Sequence, residues 1–116
     1  MDGQATGINH LLNLPQPPDA LFAINDPTAI EALIISKARG LRVPDDVAIV
    51  GFSNDPTSAL VEPKLTTVAQ PVSEIGQQAA RLLLLEQLQE PDVSSATPPT
   101  IVLPTELIIR QSTARQ

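Results

Sequence analysis

The sequence holds no cysteine, no tryptophan and no tyrosine, and only two phenylalanines, Phe22 and Phe52, in 116 residues. Without cysteine there is no disulfide framework and no thiolate chemistry, which fits a cytoplasmic location. With so few aromatics, any core has to be built from Ile, Leu, Val and Ala. Positive charge is scarce too: 7 basic residues against 13 acidic ones leave a net charge of −6. Nucleic-acid affinity depends on clustered Lys and Arg that neutralise phosphates, and the basic residues here form no stripe. The segment does not read as DNA-contacting. No apolar stretch reaches the length of a membrane span, and no basic-then-apolar signal pattern opens the chain. Metal-ligand spacings and phosphate-binding glycine patterns are missing as well, so no metal, cofactor or catalytic group is expected. His10, the single histidine, has no partner acid or nucleophile near it in sequence and reads as a surface or helix-end residue.

What is present is 42% hydrophobic residues, punctuated by 12 prolines that stand between apolar runs. Gly3 to Leu14 reads as a short helix, with Ile8, Leu11 and Leu12 at helical spacing. Ala20 to Ile24 is an apolar run without alternation, the pattern of a strand buried on both faces. Asn25-Asp26-Pro27 then predicts a helix start, with Asp26 as N-cap and Pro27 in the first helical position. Ala29, Ile30, Leu33, Ile34 and Ala38 give that helix a wide apolar face up to Arg39, and Gly40 suits the residue after its end. Val47 to Phe52 is a second unbroken apolar run. Strand, helix and strand with short joins make a βαβ unit, whose strands lie parallel.

Beyond Phe52 the pattern predicts a short helix over Pro56 to Val61, and a short strand or crossing segment over Leu65 to Val68. A long helix follows from Pro71 to about Gln89. About 1.5 Å of rise per residue gives it roughly 30 Å, and Gly76 in its interior suggests close packing there. A Pro/Ser/Thr loop from Pro91 to Thr100 leads to a bent or interrupted strand through Ile101–Leu103 and Glu106–Ile109.

Ligands in open parallel sheets bind beyond the carboxyl ends of the strands. Asn25-Asp26 ends the first run and Ser53-Asn54-Asp55 the second, so both clusters share one edge. Asn, Ser and Asp together suit a neutral polyhydroxylated ligand better than a phosphate. Helix capping accounts equally for Asp26 and Asp55, each of which precedes a proline. Asn at a strand end is also ordinary turn chemistry.

Five segments, in order and with natural spacing, resemble the lactose/galactose-repressor (LacI/GalR) family of transcription regulators. They are Pro18–Asp26, Gly40–Val47, Ile49–Phe52, Pro63–Pro71 and Leu103–Thr113. The resemblance implies an α/β fold: a partial periplasmic-binding-protein-like (type I) lobe with a parallel sheet and flanking helices. It also implies that the sequence is the C-terminal part of an effector domain whose DNA-reading helix-turn-helix lies elsewhere in the protein. Residues 1–70 would then be part of the C-lobe, the helix of 71–90 would pack on the N-lobe, and 91–116 would return to the C-lobe. Met1 falls inside what resembles a mid-domain helix, so the sequence reads as a piece of a longer protein.

By the same resemblance, Asn25 contacts a small-molecule effector, a sugar or a related compound. Ser53 stands where the family usually has an effector-binding Asp, which leaves Asn54 to take part of that role, and Gln70 matches a position near the effector. The resemblance further implies a homodimer formed through Ile30, Leu33, Ile34, Leu60 and Val61, with Glu31 adding a charge near that surface; the competing reading of the same side chains is core packed against the sheet. Two other readings share this fold class: the solute-binding protein of a transporter, and an α/β enzyme.

Overall fold

The computed structural model describes residues 2–88 and 99–115. Two compact units divide the chain: Met1–Ala69 with Glu106–Gln116, and Gln70–Thr105.

The first unit opens with helix α1, Asp2–Leu12, which places Ile8 and Leu12 in the core. Strand β1, Ala20–Phe22, leads into helix α2, Asp26–Ala38, and strand β2, Ala48–Val50, follows. The two strands pair in parallel, with Ala20 opposite Ala48, Leu21 opposite Ile49 and Phe22 opposite Val50, as the βαβ reading predicts. Gly40 follows the helix with φ of 78°, a left-handed conformation that costs glycine no Cβ clash. The end of α2 is tied back to α1 by the Arg39 guanidinium, which donates to Asn9 Oδ1 at 3.1 Å and Asn13 Oδ1 at 2.6 Å.

Strand β2 is the centre of this unit. Val47, Ile49 and Leu65 are buried together with Ala29, Ala32 and Leu33 from α2, an all-aliphatic core as the composition requires. On the edge of β2 away from β1, Val50 bridges to Thr66 in parallel, and Gly51 N–H donates to the Thr66 carbonyl at 2.9 Å. Strand β3, Thr67–Ala69, continues that segment and pairs antiparallel with β4, Glu106–Ile108. Ser112 fastens the chain end to this centre: its buried hydroxyl donates to the Ile49 carbonyl at 2.6 Å and accepts from Thr66 N–H at 2.8 Å.

Several expectations are corrected. The first apolar run is not buried on both faces: Phe22 is 69% and Ile24 79% exposed. Among the described residues β1 pairs with β2 alone, so its other edge has no strand partner. The segment over Pro56–Ala59 is a 3-10 turn, shorter than the expected helix. Only Glu106–Ile108 of the last apolar stretch forms a strand, and Ile101–Leu103 does not.

The second unit is built on helix α3, Val72–Leu88, none of whose residues is buried. A groove of about 430 Å³ lies between its Ile75, Gln78 and Leu82 and the segment carrying Ile101, Leu103 and Thr105. A Cβ added at Gly76 would meet nothing within 4 Å, so no described residue supplies the close packing expected there. Gln89 and the loop from Pro91, apart from Pro99 and Thr100, lie outside the described residues. Among the described residues no helix is long and apolar enough to cross a membrane.

Candidate functional site

Parallel pairing brings the ends of β1 and β2 to one rim, and the chain leaves each strand through polar residues. After β1, Asn25 adopts an extended backbone and caps α2, its Oδ1 accepting from Thr28 N–H at 2.9 Å. The cap is therefore Asn25 and not Asp26. Asp26 lies within the helix, fully buried, and links three segments. Its Oδ1 accepts from the Thr67 hydroxyl and its Oδ2 from Asp55 N–H, each at 2.6 Å. Gly51 makes room for this carboxylate, because a Cβ there would stand 2.1 Å from Asp26 Oδ1.

After β2 the backbone turns through two left-handed residues, Ser53 with φ of 104° and Asn54 with φ of 52°. Asn tolerates this region; Ser at such an angle costs about 1–3 kcal/mol and persists where its surroundings hold it. Here three successive amides are held. Ser53 N–H donates to the Val68 carbonyl at 2.9 Å, Asn54 N–H to Thr67 Oγ1 at 3.2 Å, and Asp55 N–H to Asp26. Asp55 in turn caps the 3-10 turn as expected, accepting from the hydroxyl and amide of Thr57. The Thr57 hydroxyl, and after it the Thr57 amide, hold the Asp55 carboxyl below the usual carboxylate range.

A third element reaches the rim from far along the chain. The Arg110 guanidinium donates to Ser58 Oγ at 2.8 Å, the Leu65 carbonyl at 2.9 Å and Asn54 Oδ1 at 3.2 Å. Arg110 and Thr67 carry no signal in local spacing, since 56 residues separate Arg110 from Asn54. The sequence offers Asp26 as a helix cap or as part of a ligand cluster, and neither reading contains its buried link between segments.

Of the residues singled out from sequence, Asn25, Ser53 and Asn54 share this rim. Gln70 begins the other unit and lines its groove. On α2, Leu33 is only 3% exposed and belongs to the core, so it offers no area to a second copy. Ile30 and Val61 are half-buried against the same core, whereas Ile34 is 60% and Leu60 80% exposed.

Comparison with known proteins agrees with this architecture. The family described as periplasmic binding protein-like domain matches residues 2–113. The HTH-type transcriptional repressor CytR of Escherichia coli K12 is 46% identical over 106 residues, 91% of this chain and 30% of that protein. The solved complex of the transcriptional regulator CelR with cellobiose is 35% identical, with a TM-score of 0.80, over 96% of this chain and 33% of the other. A LacI family transcriptional regulator from Enterococcus faecium, solved with bound ribose, is 31% identical with a TM-score of 0.77, over 97% of this chain and 40% of the other. The chain thus spans about a third of the length of these relatives. It belongs to the periplasmic binding protein-like domain family, in the form carried by LacI-type transcription regulators.

Proposed function

We propose that these residues are the effector-binding and dimer-forming portion of a LacI-type DNA-binding transcription regulator, acting in the cytoplasm, with DNA contacted by residues outside these 116. One observation carries the reading: Asn25, Ser53 and Asn54 stand together beyond the carboxyl ends of two parallel strands. The ligands named for two relatives, cellobiose and ribose, support a sugar or related small molecule as the effector. Gln70 is a further candidate contact on its likeness to the family position. The dimer surface centres on Ile34 and Leu60, with Ile30 and Val61 half-buried beside them and Leu33 beneath. Helix α3 belongs to the other lobe of the intact protein. Effector binding at the rim would favour one arrangement of the paired DNA-reading segments over another, a coupling between two sites on one scaffold. The role is regulatory and not catalytic. The transporter reading loses its support, because these relatives are transcription regulators.

A nitrogen-15 NMR titration of the chain with ribose and cellobiose tests the site. With most of the cleft supplied elsewhere, dissociation constants of about 1 mM or weaker are expected, roughly −4 kcal/mol, with shifts confined to Asn25, Ser53 and Asn54. Shifts clustered on α1, with the rim silent, would defeat the reading. Light scattering tests the dimer: a monomer at every concentration removes the Ile34–Leu60 surface from the proposal.

A further inference from the structure

The hydrogen bonds inside the rim fix which amide group each of its two asparagines has left to offer. The Asn25 side chain accepts from Thr28 N–H, and the Asn54 side chain accepts from Arg110. A backbone N–H and a guanidinium can only donate, so in both residues the amide oxygen is the atom committed to the protein and the NH2 group the one left over. Among the described residues neither Nδ2 makes a hydrogen bond. The carboxylates are spent in the same way. Both Asp26 oxygens are taken, by Thr67 and Asp55, and Asp55 has committed Oδ1 to Thr57, which leaves its Oδ2 alone to accept.

We infer that the rim takes its effector through sp2 oxygen acceptors on the ligand, a carbonyl or a carboxylate, with Arg110 as the positioning residue that sets this polarity at Asn54. The inference rests on the effector-binding reading above and narrows its ligand class. A pair of sugar hydroxyls is held best by a carboxylate accepting both protons, and Ser53 supplies no carboxylate. Two uncommitted NH2 groups instead suit an oxygen with lone pairs and no proton to place. The geometry at Asn54 is held twice over, by its N–H on Thr67 Oγ1 and its side chain on Arg110, so reversing the amide would face its NH2 toward a cation.

The test compares glucose, glucuronate and N-acetylglucosamine as NMR probes of the chain, read on the side-chain NH2 signals of Asn25 and Asn54. At least one acceptor-bearing probe is expected to bind about tenfold more tightly than glucose, as a gained or lost hydrogen bond at a built site allows. A response to N-acetylglucosamine alone assigns a carbonyl, and a response to glucuronate alone a carboxylate. The variant Asn54→Asp keeps an oxygen for Arg110 and replaces the uncommitted NH2 with a second acceptor. It tolerates the same left-handed backbone, and the preference should move toward glucose. Glucose binding as tightly as both other probes, or an unchanged preference in Asn54→Asp, overturns the polarity while leaving the effector site standing. Silence at residues 25, 53 and 54 toward all three probes overturns the site reading together with the inference.

Discussion

The two units use the same aliphatic alphabet to opposite ends. In the unit of Met1–Ala69 and Glu106–Gln116, Leu and Ile side chains from two helices and the strand layer bury one another, and buried Asp26, Ser58, Thr67 and Ser112 all find partners. In the unit of Gln70–Thr105, α3 carries Leu82 to Leu85 with no residue buried. A helix face becomes core only when an opposing surface exists to remove it from water. The first unit contains its own opposing surface. Among the described residues the second does not, which agrees with a chain that spans about a third of its relatives.

The widest gap should appear between two leucine-sized truncations. Ile49, fully buried in β2, should cost about 4 kcal/mol when changed to Ala, the loss expected for a large core side chain that leaves a cavity. Leu84→Ala in α3, where the side chain is 59% exposed, should stay within about 0.5 kcal/mol. Urea unfolding followed by far-ultraviolet circular dichroism measures both. A large loss at Leu84 would show that α3 buries this residue in solution, for instance against a second copy, and would erase the contrast.

One substitution, made in each unit, should act with opposite sign. Gly51→Ala drives a Cβ to 2.1 Å from Asp26 Oδ1, an atom already locked by Thr67, and displacing it should cost about 3 kcal/mol through overpacking and broken hydrogen bonds. Gly76→Ala meets open space in a helix interior and should stabilise α3 by about 1 kcal/mol, since Ala loses less backbone entropy than Gly. Amide hydrogen exchange resolves the two locally. Slower exchange around residue 76, with faster exchange around 26, 51 and 55, is the expected pattern, and destabilisation at residue 76 would mean that something packs there.

The sequence was legible wherever local chemistry decides structure. The parallel β1–β2 pair follows from two apolar runs joined by one helix, and the glycine after α2 and the Asp55 cap follow from single residues with strong positional meaning. Four features escaped. Exposure of Phe22 and Ile24 depends on what covers β1, which an apolar run does not encode. The buried role of Asp26 was hidden because Asp before Pro means a cap in most helices, and here the preceding Asn took that position. Arg110 reaches Asn54 across 56 residues, a distance over which no spacing rule operates. The positive φ of Ser53 has no compositional sign at all, because a non-glycine residue there is held by its neighbours and not by its own preference.

The smallest expected effect is electrostatic and belongs to the surface of the first unit. Arg42 and Asp46, four residues apart, pair at 3.0 Å, and Asp46 also accepts from the Arg42 N–H at 2.7 Å. The Arg42 side chain, then its amide, lowers the Asp46 carboxyl to about 2. A depressed carboxyl pKa means that the folded state binds this proton less readily than the unfolded chain. Whatever stability the pair contributes is therefore fully present above the ordinary value of 3.8 and is lost as pH falls toward about 2. Arg42 is exposed and Asp46 half-exposed, so solvent screening keeps that contribution small. Carbon-13 NMR titration of the Asp46 carboxyl should give a midpoint near 2, and Arg42→Ala should return it toward the ordinary value while leaving the protection of β2 amides unchanged. A normal midpoint in the unaltered chain would show that the pair is open in solution, and would make the turn between α2 and β2 resemble the second unit more than the core beside it.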